Sequence, residues 1–373
     1  MNRVMTSCAL ALTGLAASAQ AQDGLWDKLS FSGFGTAAVN VANESWGMYV
    51  HEQEAKGATR DPSALVDSNL GLKASADIAP WLSATLQTLT AQQNTPHLVT
   101  RLDWGYLKAT PTDQLTLRVG KLNIPNFMIS DSRRIGYANI ALHPANEVYG
   151  LDYMNGGLVG AEGNYRFKIG GGDLTTTALF GQTSYHDVDI NTVKFHRAWG
   201  LNAVWDGGWY QLRAGHVETS HADFGAFGQF LQTLLPPGEQ MSQEVYRFTG
   251  IGLSAERDNF IVQAEGVERR SQLFQPLIGA KAWYVLGGYR IDTWVPYVEM
   301  ARRLPASGLS TTTAPQHTEA LGVRWDVLAK ADVKLQLEHV TTDGTPGASF
   351  ITYGKTPGTA PVKTLSVAVD FIF

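Results

Sequence analysis

Cysteine is almost missing from this chain: Cys8 is the only one in 373 residues, and it sits in an amino-terminal stretch built like a leader. Removal of that stretch leaves no thiol, which excludes disulfides, thiolate metal sites and a cysteine nucleophile from the remainder. Past the same stretch, no apolar run approaches the roughly 20 residues that a spanning helix needs. A basic excess is lacking too. Lys and Arg number 29 against 34 Asp and Glu, a formal charge of −5, so nucleic acid is not an expected partner. Catalytic signatures are also wanting: there is no G-x-S-x-G elbow, and neither H-E-x-x-H nor any paired-ligand spacing marks a metal site. No catalytic, cofactor-binding or metal residue is therefore expected.

What the chain does have is alternation. Val362 to Phe373 reads V-K-T-L-S-V-A-V-D-F-I-F. Leu365, Val367, Val369, Phe371 and Phe373 fall on one face of a strand, while Thr364, Ser366, Ala368 and Asp370 fall on the other, with Ile372 the exception. A strand apolar outside and polar inside suits a wall between lipid and water. The aromatic carboxy terminus resembles the assembly signal of bacterial outer-membrane barrels. At the other end, Arg3 supplies a positive n-region, Val4 to Ala17 an apolar h-region, and Ala19-Gln20-Ala21 a small-x-small cleavage site. Residues 1–21 are thus expected to be a cleaved signal peptide, and 22–373 the mature protein.

Some sixteen segments read as strands, with no sustained helical period between them. The expected spans are 29–41, 64–76, 81–90, 101–110, 114–120, 154–168, 173–182, 192–206, 209–218, 245–257, 259–270, 280–291, 294–303, 317–327, 332–341 and 362–373. Tight turns such as Asp77-Ile78-Ala79-Pro80, Gly170-Gly171-Gly172 and Gly207-Gly208 alternate with longer polar insertions, at 42–63, 91–100, 121–153, 183–191, 219–244, 271–279, 304–316 and 342–361. Short turns at one rim and long loops at the other predict an antiparallel transmembrane β-barrel of about sixteen strands. Tryptophans including Trp26, Trp81, Trp104, Trp209, Trp294 and Trp325 fall near strand ends or on the apolar face, as interface girdles do. Sixteen strands leave an aqueous channel rather than a filled interior. The longest insertion, Lys121 to Tyr153, is semi-apolar and is expected to fold inward and narrow that channel.

This organisation resembles the Gram-negative porins, sixteen-stranded outer-membrane barrels whose third loop bends into the lumen as a constriction. The stretch R-V-G-K-L-N-I-P at Arg118 to Pro125, with Ser130-Asp131-Ser132 and Pro144 to Tyr149, is similar to a porin-like subgroup of proteobacteria. The resemblance implies passive diffusion of small hydrophilic or ionic solutes through the bacterial outer membrane, contact with its lipid, and a homotrimer. No plug-sized segment precedes the first strand, which speaks against a TonB-dependent receptor.

Selectivity then turns on charge at the narrowest point. Arg133 and Arg134 fall in the expected constriction beside Asp131, with Lys121 at its root and Glu147 farther along. Alternation puts Lys73, Arg101, Arg118, Lys194, Arg213, Arg269, Arg290, Arg324 and Lys334 on the inner face, against fewer acidic residues, Asp67, Asp103, Glu265, Glu299 and Glu338. A charge on the lipid face costs about 2–4 kcal/mol at the midplane, so these groups are expected to face water, and the basic excess favours anions. A plainer role for Arg133 and Arg134 is to pin the loop by pairing with Asp131 and wall carboxylates. The competing functions are a barrel enzyme hydrolysing lipids or peptides and an adhesin. For the enzyme, histidines such as His186 and His221 would act with Ser184, Ser220 or Ser254, although His186 beside Asp187 and His221 near Asp223 read as solvated loop residues.

Overall fold

The computed structural model describes residues 28–373 apart from 45, 53, 188–190, 234, 308–313, 343–346, 348, 353–357 and 359. The expected signal peptide, with Cys8, and Trp26 lie outside the described residues. Sixteen strands form the wall: β1 (Leu29–Ala42), β2 (Asn69–Ala79), β3 (Leu82–Ala91), β4 (Val99–Ala109), β5 (Leu115–Leu122), β6 (Leu158–Ile169), β7 (Gly172–Asp187), β8 (Asn191–Asp206), β9 (Tyr210–Asp223), β10 (Val245–Arg257), β11 (Phe260–Ser271), β12 (Ala280–Tyr289), β13 (Trp294–Pro305), β14 (Gln316–Leu328), β15 (Ala331–Thr342) and β16 (Val362–Ile372). Each pairs antiparallel with the next, and β1 pairs with β16 from Phe34↔Ile372 to Ala42↔Thr364, which closes the sheet into a barrel. Closure removes every edge, so no backbone donor or acceptor of the wall faces hydrocarbon unpaired.

The alternation that built these strands also sorts their faces. Along β13, Val295, Tyr297, Glu299, Ala301 and Arg303 are buried, while Trp294, Val298, Met300 and Leu304 are exposed. On β16, Thr364, Ser366, Ala368 and Asp370 turn inward and Leu365, Val367, Val369 and Phe371 outward, as expected. An apolar belt of this extent finds its favourable surroundings in lipid, where each Leu or Val side chain gains about 1.5–3 kcal/mol over water. Aromatic pairs gather beside the short turns, with Trp294 stacked on Trp325 at 5.0 Å and Phe260 against Tyr289 at 4.8 Å. At the closing seam, Gly33 and Phe373 exchange backbone hydrogen bonds of 3.0 Å. The Phe373 and Phe371 rings lie across Gly33 and Gly35, where any β-carbon would collide with them. Aromatic cover of strand glycines pins register in this way.

Short connections take the backbone signs of two-residue hairpins: Gly170 and Gly171 have φ of +55° and +86°, and Asp258 and Asn259 have +50° and +71°. One expected long loop, 183–191, is instead mostly strand. β7 and β8 extend into it and leave only residues 188–190 between them. Lys194 also departs from its expected inward direction. A bulge pairs Gly181 with Ala198 but Thr183 with Phe195, so one extra residue in β8 flips the alternation. Val193 and Phe195 are buried there, and Lys194 is exposed.

The longest connection, 123–157, contains a 3₁₀ turn, Gly136–Ala138, and one α-helical turn, Asn146–Tyr149. Its Phe127, Val148, Tyr149, Leu151 and Met154 share one apolar cluster with Tyr246 and Phe248 of β10 and with Tyr284 and Leu286 of β12. Phe127 and Tyr149 stack at 4.5 Å. Part of the connection 43–68 forms a separate two-residue ladder, Tyr49 and Met48 pairing with Phe350 and Ile351.

Candidate functional site

Two kinds of inner wall follow from the position of the 123–157 segment. Against β9 to β16 the segment is held by its backbone. Arg213 donates to the Pro125 carbonyl, Arg269 to that of Leu151 at 3.2 Å, and Arg324 to those of Tyr137 and Asn139 at 2.8 and 2.9 Å. Lys334, fully buried, donates to the Gly136 carbonyl at 2.6 Å and pairs with Asp370 at 3.0 Å. Carboxylates grip it as well: Glu265 accepts from the Met128 amide at 2.8 Å and from the Tyr149 hydroxyl at 2.9 Å. Buried charges demand such partners, because an unpaired ion inside costs several kcal/mol.

Toward β1 to β7 lies an opening of about 940 Å³, counted with its open solvent. Arg101, Asp103 and Trp104 of β4, Lys121 of β5, Gln87 of β3, and Asp131, Arg133 and Arg134 of the segment line it, with Glu52 opposite. A bulge in β4 sets the first three. Gln87 pairs with Trp104 but Thr88 with Leu102, and the extra residue is Asp103, whose carboxylate takes the Gln87 amide at 2.8 Å. Re-aiming side chains beside a functional site is a common use of a bulge.

The four cations of this opening differ in how their charge is met. Arg133 pairs with Asp152 at 2.8 Å and Arg134 with Glu52 at 2.9 Å. Burial pulls the Arg133 pKa down, but the Asp152 and Glu52 carboxylates outweigh it and hold the group above the ordinary arginine value, so it never titrates. Arg101 instead donates to the neutral Gln93 and Asn94 side chains, both at 2.6 Å, and Lys121 to the Leu102 carbonyl at 2.6 Å. Among the described residues neither Arg101 nor Lys121 forms an ion pair. Neutral acceptors fix the position of a cation without cancelling its field.

Of the residues singled out from the sequence, Lys121, Asp131, Arg133, Arg134 and Arg101 thus meet at the opening. The expected pairing of Arg133 and Arg134 with Asp131 does not occur; their partners come from the end of the segment and from the 43–68 connection, while the exposed Asp131 accepts from Asn123 at 3.1 Å. Glu147 is buried elsewhere and accepts from Gln316 at 2.6 Å. Arg118 pairs with Glu162, and Arg290 with Asp326 at 3.0 Å, both in the wall. Arg213, Arg269 and Arg324 hold the segment. Glu52, Gln93, Asn94 and Asp152 carried no signal in the sequence, since each earns its place only through a contact between distant parts of the chain.

No protein-family model and no curated protein sequence matches this chain. Solved structures match nearly all of it. Salmonella typhi OmpF, in complex with daunomycin, is 11% identical with a TM-score of 0.60, covering 92% of this chain and 97% of that one. A loop-deletion form of OmpT, an outer membrane protein of Vibrio cholerae, is 11% identical with a TM-score of 0.59 over 93% and 100%. An anion-selective porin from Comamonas acidovorans is 13% identical with a TM-score of 0.56 over 92% and 100%. The fold is that of the outer-membrane porins: a closed, sixteen-stranded, antiparallel transmembrane barrel.

Proposed function

We propose that this protein is an outer-membrane porin through which small hydrophilic solutes diffuse passively, with anions favoured. The segment 123–157 folds into the lumen against β9 to β16 and leaves the charged opening as the path. The observation that carries the reading is the pair Arg101 and Lys121, two cations held by neutral acceptors on one wall of that opening. Their field attracts anions, and Asp103 beside them on β4 and Asp131 of the segment temper it. Residues 1–21 serve as the cleaved export signal, and three copies assemble, as in the trimer form of Vibrio cholerae OmpT.

Catalysis is not part of this reading. Ser184 lies 3.1 Å from His186 Nε2, but His186 Nδ1 faces the Thr192 hydroxyl at 3.0 Å rather than a carboxylate that would orient a base. The test is conductance in planar bilayers under a KCl gradient. The native protein should open in steps with an anion-favouring reversal potential, and Arg101→Gln/Lys121→Gln should lose most of that preference while still conducting. Absence of conductance would overturn the porin reading, and an unchanged potential in the double variant would remove those two residues from selectivity.

A further inference from the structure

His51 of the 43–68 connection, His143 of the 123–157 segment and Glu338 of β15 lie 92 and 195 residues apart in order along the chain, yet they converge. The three residues are 3%, 4% and 5% exposed, and one donor atom from each lies within 4.8 Å of the others. Glu338 approaches His143 Nε2 at 3.3 Å and His51 Nε2 at 4.0 Å.

Their hydrogen bonds fix which nitrogens face inward. His51 Nδ1 meets both Asp67 oxygens, at 2.9 and 3.0 Å, and His143 Nδ1 meets the Pro144 carbonyl at 3.0 Å. Only a protonated Nδ1 satisfies an oxygen acceptor, so each neutral ring turns its Nε2 lone pair toward Glu338. The Gln336 side chain agrees: its oxygen accepts from the Tyr297 hydroxyl at 2.6 Å and from the Leu142 amide at 3.1 Å, which leaves its amide nitrogen 3.1 Å from His143 Nε2. His51 Nε2 is buried with no hydrogen-bond partner at all. The His51 Nε2 lone pair, the His143 Nε2 that the Gln336 amide approaches and a carboxylate thus crowd one small volume, an arrangement that calls for a proton on an Nε2 or a metal ion between them. Among the described residues, moreover, the ion-pair partners of Asp67 and Glu338 are these two histidines alone.

We propose that His51, His143 and Glu338 bind a divalent transition-metal ion of the zinc type, independently of what the channel carries. Two imidazoles and one carboxylate are a donor set zinc favours, with metal–nitrogen distances of about 2.0–2.1 Å. Asp67 and the Pro144 carbonyl stand behind the histidines as the outer acceptors that orient such ligands. Closing on an ion asks the three donor atoms, now within 4.8 Å of one another, to draw in to the roughly 3.4 Å that those bond lengths set between tetrahedral ligands. The bound ion would tie the 43–68 connection and the 123–157 segment to β15, and so clip the lumenal segment in place.

The experiment uses the full-length protein, refolded in detergent, stripped with EDTA and titrated with Zn²⁺ by competition against a chromophoric chelator. One ion per chain is expected, and Co²⁺ in its place should give the visible d–d bands of a low-coordinate site. His51→Asn, which keeps an amide donor for Asp67, and Glu338→Gln should each weaken binding by at least about tenfold, in line with the loss of a ligand. His221→Ala, an exposed histidine far from the cluster, should change nothing. Each variant is first checked for the heat-modifiable gel mobility of a folded barrel. No stoichiometric binding by the native protein, or binding as tight in folded His51→Asn and Glu338→Gln as in the native chain, would overturn the proposal.

Discussion

The two halves of the inner wall carry similar side chains and use them oppositely. On β9 to β16, Arg213, Arg269, Arg324 and Lys334 are buried and bonded to carbonyls of the 123–157 segment; on β4 and β5, Arg101 and Lys121 stand at the opening with neutral acceptors. The first group supplies attachment and the second supplies field. Residue type does not separate the two roles, because an arginine does either depending on whether the 123–157 segment or the opening stands before it. What separates them is the course of one connection.

The contrast breaks most visibly at Lys334. Lys334→Met leaves the Asp370 carboxylate buried without its cation, while Asp332 keeps Arg324 at 3.1 Å, and removal of one partner of a buried pair costs about 3–5 kcal/mol. Urea unfolding in detergent micelles should show a fall of that size, whereas Arg101→Gln, at the opening, should stay within about 0.5 kcal/mol of the native protein. Selectivity should respond the other way round. Neutralising Arg101 and Lys121 should abolish most of the anion preference, but the balanced pair Arg133→Gln/Asp152→Asn should leave the reversal potential close to native. Equal shifts in the two double variants would erase the distinction between paired and unpaired cations. The smallest effect comes from salt. Screening shortens from about 10 Å at 0.1 M to about 3 Å at 1 M, so ion preference should fade with concentration while the unfolding midpoint, set by buried pairs, barely moves.

The fold was largely legible because a membrane barrel writes its architecture in period two. All sixteen strands stand where alternation places them, within a few residues, and the face of β16 follows residue by residue. Alternation fails where a bulge inserts a residue. Lys194 falls on the wrong side of the one in β8, and the one in β4 brings Asp103 and Trp104 together at the opening. The site was legible in part. Its cations could be picked by type and position, but not their partners, since Arg134 meets Glu52 and Arg133 meets Asp152 only after two connections have folded onto the wall. For the same reason no spacing announces the convergence of His51, His143 and Glu338.

One feature of the attachment bears on descent. The wall holds the 123–157 segment chiefly by carbonyl oxygens, at Pro125, Gly136, Tyr137, Asn139 and Leu151. Every amino acid offers that oxygen, so substitutions along the segment leave these anchors standing. Positions such as Asp131, whose side chain takes no part in these anchors, are therefore free to change without renegotiating how the segment is held to the barrel.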